Sequence, residues 1–204
     1  MSFKALNREF EEVVIIDLLP EAERQSWRIS EELRAHLASL GIPQFHLSCY
    51  SKKHVFEALD WCLNRLKESN FILQFTAHGN DKGIGLKATS EFVAWSELRK
   101  PLQNINKAIQ GDLIVSMISC QGIEGAKIQT IEDPSDPFFG IVGPEIKIGV
   151  DEAKLVCKRF YDKLCDGIEI PYVVRDINVE LNKKVLWCHS TQLHRQQDET
   201  KLDF

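Results

Sequence analysis

Along this chain, short uninterrupted apolar runs alternate with longer stretches in which apolar residues recur at steps of three and four. Val13-Val14-Ile15-Ile16, within Glu11 to Leu19, has the pattern of a strand buried on both faces, and Pro20 closes it. From about Glu21 to Leu40 the residues Ile29, Leu33, Leu37 and Leu40 keep helical spacing, until Gly41 and Pro43 end the pattern. Phe45 to Tyr50 predicts a second strand. Between His54 and Leu66, Val55, Ala58, Leu59, Cys62, Leu63 and Leu66 trace one apolar helical stripe. Phe71 to Ala77 predicts a third strand, which ends on His78-Gly79 with the turn formers Asn80 and Asp81 behind it.

After Gly83-Ile84-Gly85-Leu86, helical spacing returns at Trp95, Leu98, Leu102, Ile105 and Ile109. Pro101 is expected to split this helix, with the main part starting there. Leu113 to Ile118 predicts a fourth buried strand running into Ser119-Cys120-Gln121-Gly122, and Phe138 to Val142 a fifth. Asp151 can cap a helix with Ala153, Val156, Cys157, Phe160, Tyr161 and Leu164 on one side and Gly167 at its end. A last helix, Pro171 to about Leu181, leads into a sixth strand, Val185 to Cys188; the polar tail from Gln192 is expected to fray.

Strands alternating with amphipathic helices imply right-handed crossovers and a mostly parallel sheet covered on both faces. The expected fold is therefore α/β, a three-layer αβα sandwich around a mostly parallel six-stranded sheet. The length of 204 residues suits one domain over 1–204. The one long irregular connection, Ile123 to Pro137, carries Asp133-Pro134 and Asp136-Pro137, and loops of that length are often functional.

Charge and composition narrow the partners. A formal charge of −5, with no basic cluster larger than Lys52-Lys53 or Lys183-Lys184, argues against nucleic acid. Met1 to Glu12 lacks the apolar core of a signal peptide, and no apolar run reaches the ~20 residues of a membrane helix, so a cytosolic protein without a membrane partner is expected. The six cysteines, Cys49, Cys62, Cys120, Cys157, Cys165 and Cys188, form no CxxC pair, which argues against a zinc site or a disulfide scaffold. Gly83-x-Gly85 lacks a third glycine, and Gly122-x-x-Gly125-Ala-Lys127 has the wrong spacing for a phosphate loop. No metal or cofactor is expected.

Chemistry concentrates on His78 and Cys120. Each follows a predicted strand, and catalytic groups in parallel sheets gather beyond the carboxyl ends of the strands. The two are separated by about one strand-helix-strand unit, so their strands should be adjacent or nearly so. A thiol is little ionised at neutral pH, and a nearby imidazole is the usual means of activating it and of protonating a leaving amine. The backbone N–H groups of Gly79 and Cys120 are candidate donors to an oxyanion, and a glycine after the histidine lets a substrate approach the backbone. Cys188-His189 is a second such pair, but neighbours on a strand point to opposite faces; His189 and His194 are assigned to a surface end.

The segment Phe71 to Gly79, ending in His-Gly, followed after one crossover by Leu113 to Gly122, ending in Ser-Cys-Gln-Gly, resembles the signature of caspase-like cysteine peptidases. That group includes the separase-related CHAT peptidases, metacaspases and legumain-like enzymes. Trp95-Ser96-Glu97-Leu98 and Phe160-Tyr161 with Gly167 add to the likeness, which spans roughly residues 70 to 180. It implies a caspase-like fold with His78 as general acid and base, Cys120 as nucleophile and the Gly79 N–H as oxyanion donor, and it requires no third carboxylate. The position two before the nucleophile, a pocket-lining Gln in caspases and commonly an Asp in metacaspases, is Ile118 here. Neither an acid-specific nor a base-specific pocket is therefore implied. Asp17 and, after the turn, Arg24 are the charged candidates for a substrate pocket, each with a solvated surface role as the plainer alternative.

The expectation is a cysteine endopeptidase acting on a protein or peptide substrate. The alternative is a non-catalytic caspase-like binding or scaffold module, against which the intact His78 and Cys120 count. A hydrolase of another α/β type would call for a Gly-x-Ser-x-Gly elbow, and there is none. Control is expected from a regulatory partner protein or a homodimer, with cleavage between Ile123 and Pro137 as a further route.

Overall fold

The computed structural model describes residues 3–5, 8–65, 69–86, 89–129 and 135–190. The tail from Gln192, with His194, and the loop residue Asp133 lie outside them. A short hairpin, β1 (Phe3–Ala5) and β2 (Arg8–Phe10), precedes the main strands. These are β3 (Glu12–Asp17), β4 (Gln44–Ser48), β5 (Phe71–Thr76), β9 (Ile114–Ile118), β10 (Gly140–Pro144) and β11 (Leu186–Ser190). They form one six-stranded sheet in the order β11-β10-β9-β5-β3-β4. All neighbours are parallel except β10 and β11. The expected mostly parallel six-stranded sandwich is thus the architecture found.

The helices are α1 (Glu21–Trp27), α2 (Ile29–Ser39), α3 (Lys52–Arg65), α4 (Trp95–Ala108), α5 (Val150–Cys165) and α6 (Ile170–Glu180). Alternation along β3 sorts its side chains to two cores. Val14 and Ile16 join Leu59 of α3 and Leu98 and Leu102 of α4 on one face. Val13 and Ile15 join Leu33 of α2, Val156 and Phe160 of α5 and Ile177 of α6 on the other. One polar pair crosses this packing: Tyr161 Oη donates to Gln74 Oε1 at 3.0 Å, with both residues fully buried.

Four features differ from the sequence expectations. The helix expected from Glu21 to Leu40 is two helices, because Arg28 adopts a left-handed conformation (φ 54°) that an α-helix cannot carry. Pro101 does not split α4, which runs through it with Leu98 and Leu102 both buried; packing on both sides outweighs the lost hydrogen bond. The fifth and sixth strands sit about two residues later than expected. Between β5 and α4 a small antiparallel sheet, unpredicted, orders β6 (His78–Asn80), β7 (Gly83–Leu86) and β8 (Glu91–Ala94).

Among the described residues no helix is long and apolar enough to cross a membrane.

Candidate active site

After β3 the chain runs to the edge strand β4 and then returns to β5 on the other side of β3, so the direction of winding reverses between β3 and β5. Crevices at such a reversal open beyond the carboxyl ends of the strands. Asp17 of β3, Thr76 of β5 and Ile118 of β9 end those strands in register. The pairing continues one step further, with the Ala77 N–H donating to Ile118 O at 3.3 Å. His78 and Cys120 each lie two residues past the Thr76–Ile118 pair, beyond the ends of neighbouring strands.

The two chains then leave the sheet differently. At His78 the backbone turns into β6 and pairs with β7, His78 opposite Gly85. At Cys120 it folds into a tight turn. The Ser119 N–H donates to Met117 O and the Gly122 N–H to Ser119 O, both at 3.0 Å. Gln121 holds φ 55° and donates its N–H to Ile146 O at 3.3 Å. A 3₁₀ helix, Gly122–Ile128, follows. Among the described residues the Cys120 N–H meets no acceptor, as an oxyanion donor requires.

Gly79 lies directly under this turn. A Cβ there would stand 2.7 Å from Cys120 O and 2.8 Å from Ser119 Oγ, distances no real Cβ tolerates. The glycine after the histidine is therefore needed for the approach of the two strand ends, in addition to any contact with substrate.

His78 and Cys120 line one cavity of about 160 Å³. Its remaining walls are Leu19, Trp27, Ile29, Thr76, Ala77, Ile118, Ser119, Ile148, Gly149, Val150 and Ala153. Cys120 is half-buried, its Sγ 4.0 Å from the Ile148 carbonyl oxygen. Burial pushes the thiols of Cys49, Cys62 and Cys157 up to about 12 and that of Cys165 up to about 11, and raises Cys188 as well. A larger cavity, of about 610 Å³, lies against α6 and β11 and shares no residue with the His78–Cys120 cleft.

The histidine has a partner that the sequence did not indicate. His78 Nε2 lies 2.5 Å from Oε2 of Glu23 in α1, and the ring meets Trp27, one helical turn on, edge to face at 5.4 Å. The only signal for Glu23 was its i, i+4 relation to Trp27, which is visible only once the position of α1 is known.

Asp17, expected as a weak substrate contact, does not line the cleft and is not a solvated surface charge either. It is fully buried, accepts from the Leu19 N–H at 2.9 Å, and lies 3.4 Å from Arg24 Nε and 3.5 Å from His46 Nε2. Burial alone would raise its pKa, but His46, Ser30, the Leu19 N–H and Arg24 together outweigh that and hold the carboxyl below its usual range. Arg24 also donates to Asp17 O at 3.1 Å and stacks 4.7 Å above the Tyr50 ring, so its charge is engaged outside the cleft. Ile118 does line the cavity. His189 bonds Gln129 Oε1 at 2.6 Å through Nε2 and takes no part in the site.

The sequence matches no protein-family model and no curated protein. Among solved structures, 68 chains match the fold. One, the crystal structure of drICE, a caspase, superposes with a TM-score of 0.56 at 11% identity over 92% of this chain and 88% of that chain. At that identity the likeness establishes a caspase-like fold.

Proposed function

We propose that residues 1–204 act as one caspase-like cysteine endopeptidase domain that cleaves protein substrates through His78 and Cys120. The observation that supports this reading is that His78 and Cys120, each two residues past the paired ends of β5 and β9, line one cleft beyond the sheet. His78 takes the thiol proton as Sγ bonds to the scissile carbonyl carbon, and the carbonyl π electrons move to oxygen. The oxyanion is held by the N–H groups of Cys120 and Gly79. As the intermediate collapses, the C–N bond breaks and His78 returns the proton to the departing amine. Water, deprotonated by the same imidazole, then attacks the thioester and releases the acid and the thiol.

The test is cleavage of a peptide library by the protein and by Cys120→Ala and His78→Ala. Each substitution should lower kcat/KM by about 10³-fold or more with an unchanged melting curve. An inert wild-type protein would leave the fold with a binding or scaffold role instead. Control by a homodimer or a regulatory partner is part of the proposal. β11 is the last strand of the sheet and its Trp187 is 43% exposed, which supports a second chain docking at this end. Sedimentation set beside activity over a dilution series tests it: activity that persists in the monomer would reject this control.

A further inference from the structure

We infer that the cleft beside His78 and Cys120 accepts an uncharged, aliphatic side chain on the acyl side of the scissile bond; this rests on the peptidase reading. The carbonyl attacked by Sγ must sit at Cys120, and the side chain of the residue that owns this carbonyl branches one bond away. It must therefore enter the cavity that Cys120 itself lines. That cavity is built from Leu19, Ile29, Ile118, Ile148, Val150 and Ala153, and no carboxylate, ammonium or guanidinium group lines it. Of the charges close by, Glu23 is taken up by His78, and Asp17 and Arg24 lie outside the lining and face each other, His46 and Tyr50. A charged side chain entering here would be desolvated without a counter-ion. The volume, about 160 Å³, matches a dry cavity of ~150 Å³ that admits a benzene-sized group, so a leucine-sized side chain fits. The two polar side chains in the wall besides the dyad, Thr76 and Ser119, carry neutral hydroxyls.

A fluorogenic peptide library varied at that one position, with the full-length protein, tests this. Leu, Met and Val should be cleaved at least about tenfold faster than Asp, Glu, Lys, Arg or Asn. Preference for any of those five overturns the pocket assignment, whereas no cleavage of any peptide overturns the peptidase reading itself. Ile148, in the loop before α5 and only half-buried, offers a variant that should fold. Ile148→Arg should gain cleavage after Asp or Glu and lose cleavage after Leu; an unchanged preference would also overturn the assignment.

A separate observation carries a second inference: the structure assigns Glu23 as a positioning residue for His78. A carboxylate at 2.5 Å from Nε2 fixes that nitrogen as the proton donor, so Nδ1 is the nitrogen left to accept the thiol proton. Trp27 limits rotation of the ring from the same helix. Both contacts come from α1, so the imidazole is oriented by an element outside the sheet that carries it. Glu23→Gln, which keeps the shape and removes the charge, should lower kcat about tenfold to a hundredfold with KM unchanged, and Glu23→Asp should recover part of the loss. The rate of Cys120 alkylation by iodoacetamide should fall in parallel. Glu23→Gln with wild-type kcat and alkylation rate would overturn the assignment, as would a loss confined to KM. A peptidase that proves inactive as wild type would be judged on the alkylation rate alone, which separates this inference from the peptidase reading.

Discussion

Gly79 packs against Cys120 so closely that the histidine loop and the cysteine turn behave as one piece: any Cβ at 79 would stand 2.7 Å from the Cys120 carbonyl oxygen. The contact is with backbone, which cannot swing aside as a flexible side chain would. Gly79→Ala should therefore displace the Cys120 turn and reduce kcat/KM by at least about tenfold. Because the clash is with backbone, the melting temperature should fall as well. Activity assays beside thermal melts check this; wild-type activity would show that the turn accommodates the methyl group.

Thiol labelling should be strongly selective. Cys49, Cys62 and Cys157, pushed up to about 12 by burial, remain protonated and covered at neutral pH. Brief iodoacetamide treatment followed by peptide mass mapping should find Cys120 modified first. Equal labelling of Cys165 or Cys188, both half-buried, would remove Cys120 from its assigned role.

Acid should loosen the fold partly through Asp17. Its pKa is lower in the folded protein than the ordinary value of about 3.9 that it takes in the unfolded chain. Its stabilising contribution is therefore complete above about pH 4 and is lost as the pH falls through the folded value. Glu31, Glu32, Glu91, Glu97 and Glu152 are lowered too, but they sit at the surface, where solvent screens them. Urea unfolding between about pH 7 and pH 3 should show falling stability, and Asp17→Asn should flatten the slope. An identical slope in the variant would contradict the assignment.

In the core, Tyr161→Phe deletes the hydroxyl that meets Gln74 and leaves Gln74 Oε1 buried without that donor. The expected loss is about 1–3 kcal/mol in denaturant unfolding. A change near zero would mean that Gln74 finds another donor.

Much of this architecture was legible from apolar patterning, because strands buried on both faces must be continuous apolar runs and the helices covering them must carry a stripe. β3, β5 and β9 followed directly, and with them the strand-end positions of His78 and Cys120. What escaped depends on contacts rather than on pattern. β6, β7 and β8 are three or four residues long, too short for a period to register, and β6 and β7 carry glycine as well. The break at Arg28 lies in a residue of good helix propensity and is imposed by where α2 must pack. Asp17 read as a surface charge because its companions, Arg24, Ser30 and His46, are brought to it only by the tertiary fold. The Glu23–His78 contact spans 55 residues and joins a helix to a distant strand end.

Among the described helices, α1 alone has no buried residue. Its seat depends on a few side-chain grips: Glu23 and Trp27 on His78, and Arg24 on the end of β3. Lifting it would uncover no fully buried residue of its own and would remove one partly buried side chain, Trp27, from the second core, yet it would release the imidazole from its tether. The histidine is thus held by a latch whose strength is set separately from that of the molecule, so its opening should cost far less than global unfolding.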